Sequence, residues 1–288
     1  VVVTPTASGK TLCYNVPVLD AIIKNEESRA LFLFPTKALS QDQTAELHEL
    51  ITEAGVDVKT FTYDGDTPQS ARKAIRQAGH IVVTNPDMLH SGILPHHTKW
   101  TKLFENLKYI VIDEVHHYRG VFGSHLSNVL RRLKRICAFY GSNPQFICCS
   151  ATIANPVELA SRITDVDMKL IDNNGAPSCA KHIIFYNPPL VNKELGIRRS
   201  SMLEAEGIAE ALIRNKVQTI VFTRSRLNVE VLVTYLKDIY QGSQEGDRRV
   251  RGYRGGYLPN LRREIEKGLR DGSITGVVST NALELGID

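Results

Sequence analysis

Val1-Val2-Val3-Thr4-Pro5-Thr6-Ala7-Ser8-Gly9-Lys10-Thr11 joins an apolar β-branched run to a loop ending in Gly-Lys-Thr. Such a run, bounded by turn residues, reads as a buried parallel strand. The helix expected to follow has Leu12, Val16, Leu19, Ile22 and Ile23 as candidate buried residues and an irregularity at Pro17. Backbone N–H groups at a helix start favour anionic phosphate, and Gly9 allows the backbone to approach it closely. In that arrangement Thr6, Ala7, Ser8 and Gly9 cradle a nucleotide. Lys10 reaches its β- and γ-phosphates, and the Thr11 hydroxyl ligates Mg²⁺. One departure stands out: the common pattern has Gly where this chain has Thr4.

Two further stretches complete the chemistry. Leu107–Ile112 is a second apolar run and delivers Asp113-Glu114 at its C-terminal end. Ligands of open α/β sheets bind at that edge, so both carboxylates are expected to face the phosphate loop. Asp113 then holds Mg²⁺ while Glu114 orients and polarises the attacking water. Ser150-Ala151-Thr152 is a short hydroxyl-bearing element that follows a third strand. Alone, an Asp-Glu pair after a strand is ordinary solvated punctuation. In this order, each motif at the end of an apolar run, they describe ATP hydrolysis.

Strands and helices alternate throughout, the signature of parallel βαβ units. Strands are predicted at 30–34, 58–63, 81–84, 109–113 and 145–149, and helices at 40–54 and 124–140. Asn155-Pro156-Val157-Glu158 reads as an N-cap, a first-turn proline and a capping-box acid. The composition changes near Asp172–Ser178, and alternation restarts with helices at 202–214, 225–240 and 259–269 and strands at 218–223, 249–253 and 275–279. The expected architecture is α/β, with domains at 1–175 and 176–288, and 288 residues suit two domains better than one.

Composition sets limits. A hydrophobic content of 42% supports sizeable cores, and no apolar run approaches the ~20 residues that span a bilayer. A net charge of +4 permits nucleic-acid binding without arguing for it. Cys13, Cys137, Cys148, Cys149 and Cys179 contain no C-x-x-C pair, so they read as reduced, mostly buried thiols of a cytoplasmic protein. His90, His96-His97 and His116-His117 match no familiar zinc spacing. Arg131, Arg132, Lys134 and Arg135 read as a solvated helix face.

With Asp113-Glu114-Val115-His116 beside the phosphate loop, the chain resembles superfamily-two helicases carrying a DEVH version of the DEAD/DEAH box. More narrowly it is similar to the bacterial MrfA/YprA-type DNA repair helicases, kin of the RecQ-four-related group. Phe34–Leu39 looks like motif Ia, Thr84–Leu89 like motif Ib, Val221–Arg226 like motif IV and Ser279–Asp288 like motif V. Arg251–Pro259 resembles the family's segment after motif IV.

The resemblance implies two tandem RecA-like domains with ATP·Mg²⁺ in the cleft between them and nucleic acid across both. It makes Pro35, Thr36, Ala38, Asn85, Asp87, Thr223, Arg224, Tyr253, Arg254, Gly255 and Thr280 candidates for the strand-binding surface. It places Gly286 and Asp288 near the nucleotide, and gives His116, Ser150 and Thr152 the coupling of nucleotide to domain closure. The implied activity is ATP-dependent DNA unwinding or translocation of 3′-to-5′ polarity, in repair. A nucleotide-gated clamp or an RNA helicase is the alternative. The family's motif VI arginines come after Asp288, as does a cysteine-rich zinc-binding region, so this stretch alone is expected to hydrolyse ATP poorly.

Overall fold

The computed structural model describes residues 1–5, 8–177, 180–238, 240 and 249–283. The chain divides into two compact units, Val1–Cys179 and Ala180–Ile287.

The first unit runs β1 (Val2–Val3), α1 (Lys10–Lys24), β2 (Arg29–Leu33), α2 (Lys37–Glu53), β3 (Thr60–Thr62), α3 (Gln69–Ala78) and β4 (Ile81–Thr84). It continues through α4 (Pro86–Met88), α5 (Thr101–Glu105), β5 (Leu107–Ile112), α6 (Gly120–Phe139), β6 (Gln145–Ser150) and α7 (Pro156–Thr164). The six strands form one parallel sheet in the order β1-β6-β5-β2-β4-β3. Because strand side chains alternate between faces, the near-continuous apolar runs feed two cores. Val1, Val3, Leu31, Leu33, Ile110, Ile112 and Cys148 enter one with α6 and α7. Val2, Ala30, Phe32, Phe34, Val111 and Cys149 enter the other with α1 and α2.

Burial on α1 differs from the expected pattern. Tyr14, Asn15, Val18, Leu19 and Ile22 face the sheet, while Leu12, Val16 and Ile23 are more than half exposed. The helix continues through Pro17. α2 begins earlier than expected because the Thr36 side chain accepts the Leu39 N–H at 3.3 Å and caps it. α6 begins at Gly120, whose φ of 55° turns the chain into the helix. Asn155 does cap α7 by position, but its amide donates to Glu158 instead of its oxygen accepting a backbone N–H.

The second unit contains β7 (Leu190–Asn192), β8 (Ile197–Arg198), α8 (Ser201–Arg214), β9 (Thr219–Phe222), α9 (Arg226–Asp238), β10 (Val250–Tyr253), α10 (Pro259–Arg270) and β11 (Gly276–Ser279). Among the described residues β10-β11-β9 form a parallel sheet, and β7-β8 a small antiparallel hairpin. Ile213, Val229, Leu232 and Leu236 pack on one side of the sheet, and Ile265 and Leu269 on the other.

Candidate nucleotide and nucleic-acid sites

Parallel topology puts the C-terminal ends of all six strands of the first unit on one edge, and the candidate residues follow those ends. β1 leads into the phosphate loop, β2 into Pro35-Thr36, β4 into Asn85, β5 into Asp113-Glu114 and β6 into Ala151-Thr152. The second unit repeats this: Thr223-Arg224 follow β9, Arg254-Gly255 follow β10 and Thr280 follows β11.

Within the phosphate loop Gly9 adopts φ 76°, a left-handed conformation that favours glycine, and starts α1 without a side-chain cap. The Thr4 and Ser8 hydroxyls meet at 2.5 Å. Lys10 Nζ reaches back to the Thr4 and Pro5 carbonyls at 2.9 and 3.2 Å, so the ammonium lies within the loop that the sequence assigns to phosphate. Thr6, Ala7, Gly286 and Asp288 lie outside the described residues, as does Cys179.

Asp113 is buried, and burial pushes its carboxyl pKa up, offset in part by the Glu114 N–H, the Tyr14 hydroxyl and the Lys10 charge. Its Oδ1 accepts the Glu114 N–H at 2.8 Å, and its Oδ2 lies 3.1 Å from the Tyr14 hydroxyl. A desolvated carboxylate of this kind is stabilised by a cation. Hard oxygens from Asp113 and Thr11 are the donor set that Mg²⁺ takes. These residues therefore fit the ion.

Glu114 occupies the left-handed region at φ 51°, uncommon for a residue with a side chain. Its Oε2 is 3.2 Å from His116 Nδ1, which also lies 3.4 Å from both Ser150 Oγ and the Ala151 N–H. Burial, reinforced by the charges of His117, Arg119 and Lys10, lowers the His116 pKa to about 4. The ring is neutral at neutral pH, so its contact with Glu114 is not an ion pair. Nδ1 either accepts from Ala151 or donates to Glu114, and the tautomer selects which. His116 thus joins the carboxylate box to the buried Ser150, while Thr152 is exposed.

Sequence reasoning missed Tyr14. Its hydroxyl also lies 3.0 Å from Gln43 Oε1 on α2. The signal available was its i, i+4 spacing from Lys10 and i, i+3 spacing from Thr11. Of the other histidines singled out by the sequence, His90 meets Arg132 at 2.7 Å and His97 meets the Tyr140 hydroxyl at 2.9 Å.

On the strand-binding candidates the structure is selective. Thr36 and Asn85 are helix N-caps, Pro35 is half-buried, Asp87 and Arg224 are exposed, and Thr223 and Gly255 are half-buried. Ala38 lies in α2, with its side chain outside the description. Tyr253 and Thr280 are only 4% and 8% exposed. Tyr253 faces inward from β10 and donates to Glu266 Oε1. Arg254 bonds Glu230 Oε1 at 2.6 Å with its guanidinium over the Tyr257 ring.

Gly123 supports this site from below. A Cβ there would stand 2.4 Å from the Tyr118 carbonyl oxygen, a backbone atom just beyond the carboxylate box. Gly123→Ala is expected to lower stability by about 1–3 kcal/mol through overpacking. Urea unfolding of the complete protein measures it, and an unchanged midpoint would contradict the packing described.

A parallel α/β unit with a lysine-bearing loop, a carboxylate pair and a hydroxyl motif on one edge defines a phosphate-loop nucleotide-binding protein. Residues 1–160 match the model of the DEAD/DEAH box helicase family, and the chain belongs to that family. It is 65% identical over 288 residues to the uncharacterized ATP-dependent helicase YprA of Bacillus subtilis, covering 100% of this chain and 38% of that protein. To the ATP-dependent helicase HRQ1 of Saccharomyces cerevisiae it is 40% identical over 299 residues, covering 100% of this chain and 27% of that relative. The crystal structure of the DUF1998 helicase MrfA bound to DNA and AMPPNP superposes with a TM-score of 0.94 at 65% identity, covering 100% of this chain and 40% of that one. The chain therefore spans less than half the length of these relatives.

Proposed function

We propose that this chain forms the ATP-hydrolysing core of a DNA helicase or translocase. The observation that carries the reading is the convergence on one sheet edge of Lys10, Asp113-Glu114 and the His116–Ser150 link. Mg²⁺ supplies charge neutralisation for the phosphates when bound. Thr11 and Asp113 hold it, Lys10 binds the β- and γ-phosphates, and Glu114 orients water and takes its proton. His116, touching both Glu114 and Ser150, carries the state of that site toward the hydroxyl motif.

The solved structure of MrfA with DNA favours DNA over RNA as the polymer. Intact Lys10, Asp113 and Glu114 favour turnover over a passive nucleotide-gated clamp. By the same family resemblance, translocation is assigned 3′-to-5′ polarity and a role in repair. ATPase rates of the complete protein without nucleic acid, with single-stranded DNA and with RNA test the reading. Stimulation by DNA supports it, whereas stimulation by RNA alone or no turnover overturns it.

Phosphate contacts from Thr36, Thr223, Arg224 and Arg254 would give affinity without sequence preference. Arg254→Ala is expected to weaken single-strand binding and to reduce the slope of log affinity against log salt by about one. Basal ATPase should stay near wild type. Fluorescence anisotropy across a salt series reads the slope, and an unchanged slope would remove Arg254 from the surface.

A further inference from the structure

Tyr14 is buried on α1, and its ring packs edge-on against Phe32 with centroids 5.4 Å apart. Its hydroxyl stands 3.1 Å from Asp113 Oδ2 and 3.0 Å from Gln43 Oε1. One buried hydroxyl therefore touches the carboxylate assigned to Mg²⁺ and, in addition, the helix that starts at the strand-binding edge. Gln43 lies about two turns beyond the Thr36 cap. Its amide nitrogen is committed to Glu46 Oε2 at 3.1 Å, which fixes its oxygen toward Tyr14.

The phenol carries one proton and faces two acceptors. It serves Asp113 or Gln43 at any moment, not both. We propose that Tyr14 is a positioning residue that orients the Mg²⁺-binding carboxylate and donates its one O–H hydrogen bond to either Asp113 or Gln43, coupling the metal site to α2. Were Asp113 to give that oxygen to a bound cation, the hydroxyl would donate to Gln43 and tie α1 to α2. A displacement of α2 that took Gln43 away would return the hydroxyl to Asp113, changing how firmly the carboxylate is held. Outer-sphere groups of this kind set ligand orientation, and their loss typically costs about 10–100-fold in metal affinity or activity. The inference rests on the ATP-motor reading above.

The test uses the complete protein as wild type, Tyr14→Phe and Gln43→Leu. Tyr14→Phe keeps the ring against Phe32 and removes only the hydroxyl, and Gln43→Leu removes the α2 acceptor at similar volume. Three readouts are needed: the Mg²⁺ midpoint for binding a fluorescent non-hydrolysable ATP analogue, ATPase with and without single-stranded DNA, and thermal unfolding. Tyr14→Phe is expected to raise the Mg²⁺ midpoint about 10–100-fold. Gln43→Leu is expected to lower the stimulation by DNA several-fold while melting with wild type.

A Tyr14→Phe midpoint within twofold of wild type overturns the positioning role. Undiminished DNA stimulation in Gln43→Leu overturns the coupling. Failure of the wild type itself to bind the analogue with Mg²⁺ would instead bring down the reading of the site, so the two failures are distinguishable.

Discussion

Glu114→Gln in the complete protein should bind ATP and Mg²⁺ normally yet turn over about 10²–10⁴-fold more slowly, the range a positioned acid–base group contributes. The geometry makes this substitution clean. The Glu114 backbone is fixed by its N–H bond to Asp113 Oδ1 at 2.8 Å and by its left-handed φ of 51°, neither of which depends on the side-chain charge. Glutamine keeps the size and the contact toward His116 but does not take a proton from water. Steady-state ATPase and equilibrium binding of a fluorescent nucleotide, on the same preparation, separate binding from chemistry. Turnover within twofold of wild type would remove Glu114 from the mechanism.

The second large effect is expected at Lys10. Lys10→Ala removes the ammonium that lies within the phosphate loop, 2.9 Å from the Thr4 carbonyl. Hydrogen bonds to charged groups contribute about 1.5–3 kcal/mol, which corresponds to roughly a 10–100-fold loss in nucleotide affinity. The loop also loses its tie to Thr4 and Pro5, so Lys10→Met, which keeps the apolar stem, serves as the packing control. Saturating nucleotide raises the melting temperature of a protein that binds it only when folded. Both variants should lose that rise while melting near wild type without nucleotide. A rise equal to wild type would mean that Lys10 makes no phosphate contact.

Much of the first unit was legible because buried parallel strands announce themselves. Ile81–Thr84 matches its predicted span, and Leu107–Ile112 delivers the carboxylates at the edge where α/β sheets present them. What the sequence hid was decided by tertiary context. α3 is a short polar helix with a single fully buried residue, Ile75, so its apolar signal was faint. Residues 86–105 change helix type several times, including a π-turn at Leu89–Ile93 and a 3-10 stretch at Leu94–Lys99, which no single periodicity describes. On α1, Leu12, Val16 and Ile23 looked like core, yet the helix presents Tyr14 and Asn15 inward, and the tyrosine hydroxyl reaches Asp113. Tyr253 sits in a segment similar to a family motif, but strand alternation turns its ring inward while Arg254 remains half-exposed.

The pairing of β1 has a consequence for biosynthesis. Val2 and Val3, which carry the phosphate loop, pair in the sheet with Cys149 and Ser150 of β6, and Val2 also bridges to Ile171. Among the described residues the partners of β1 are β6 and Ile171, which leave the ribosome well after the loop does. Contacts so distant along the chain form late, after the loop-closure entropy has been met. A nascent chain stalled before β6 emerges is therefore expected to be as protease-sensitive with an ATP analogue as without it. Chains stalled well beyond residue 171 should gain protection. Limited proteolysis of ribosome-bound chains of increasing length would locate the step, and protection by nucleotide before β6 is exposed would show that the loop forms without its strand partner.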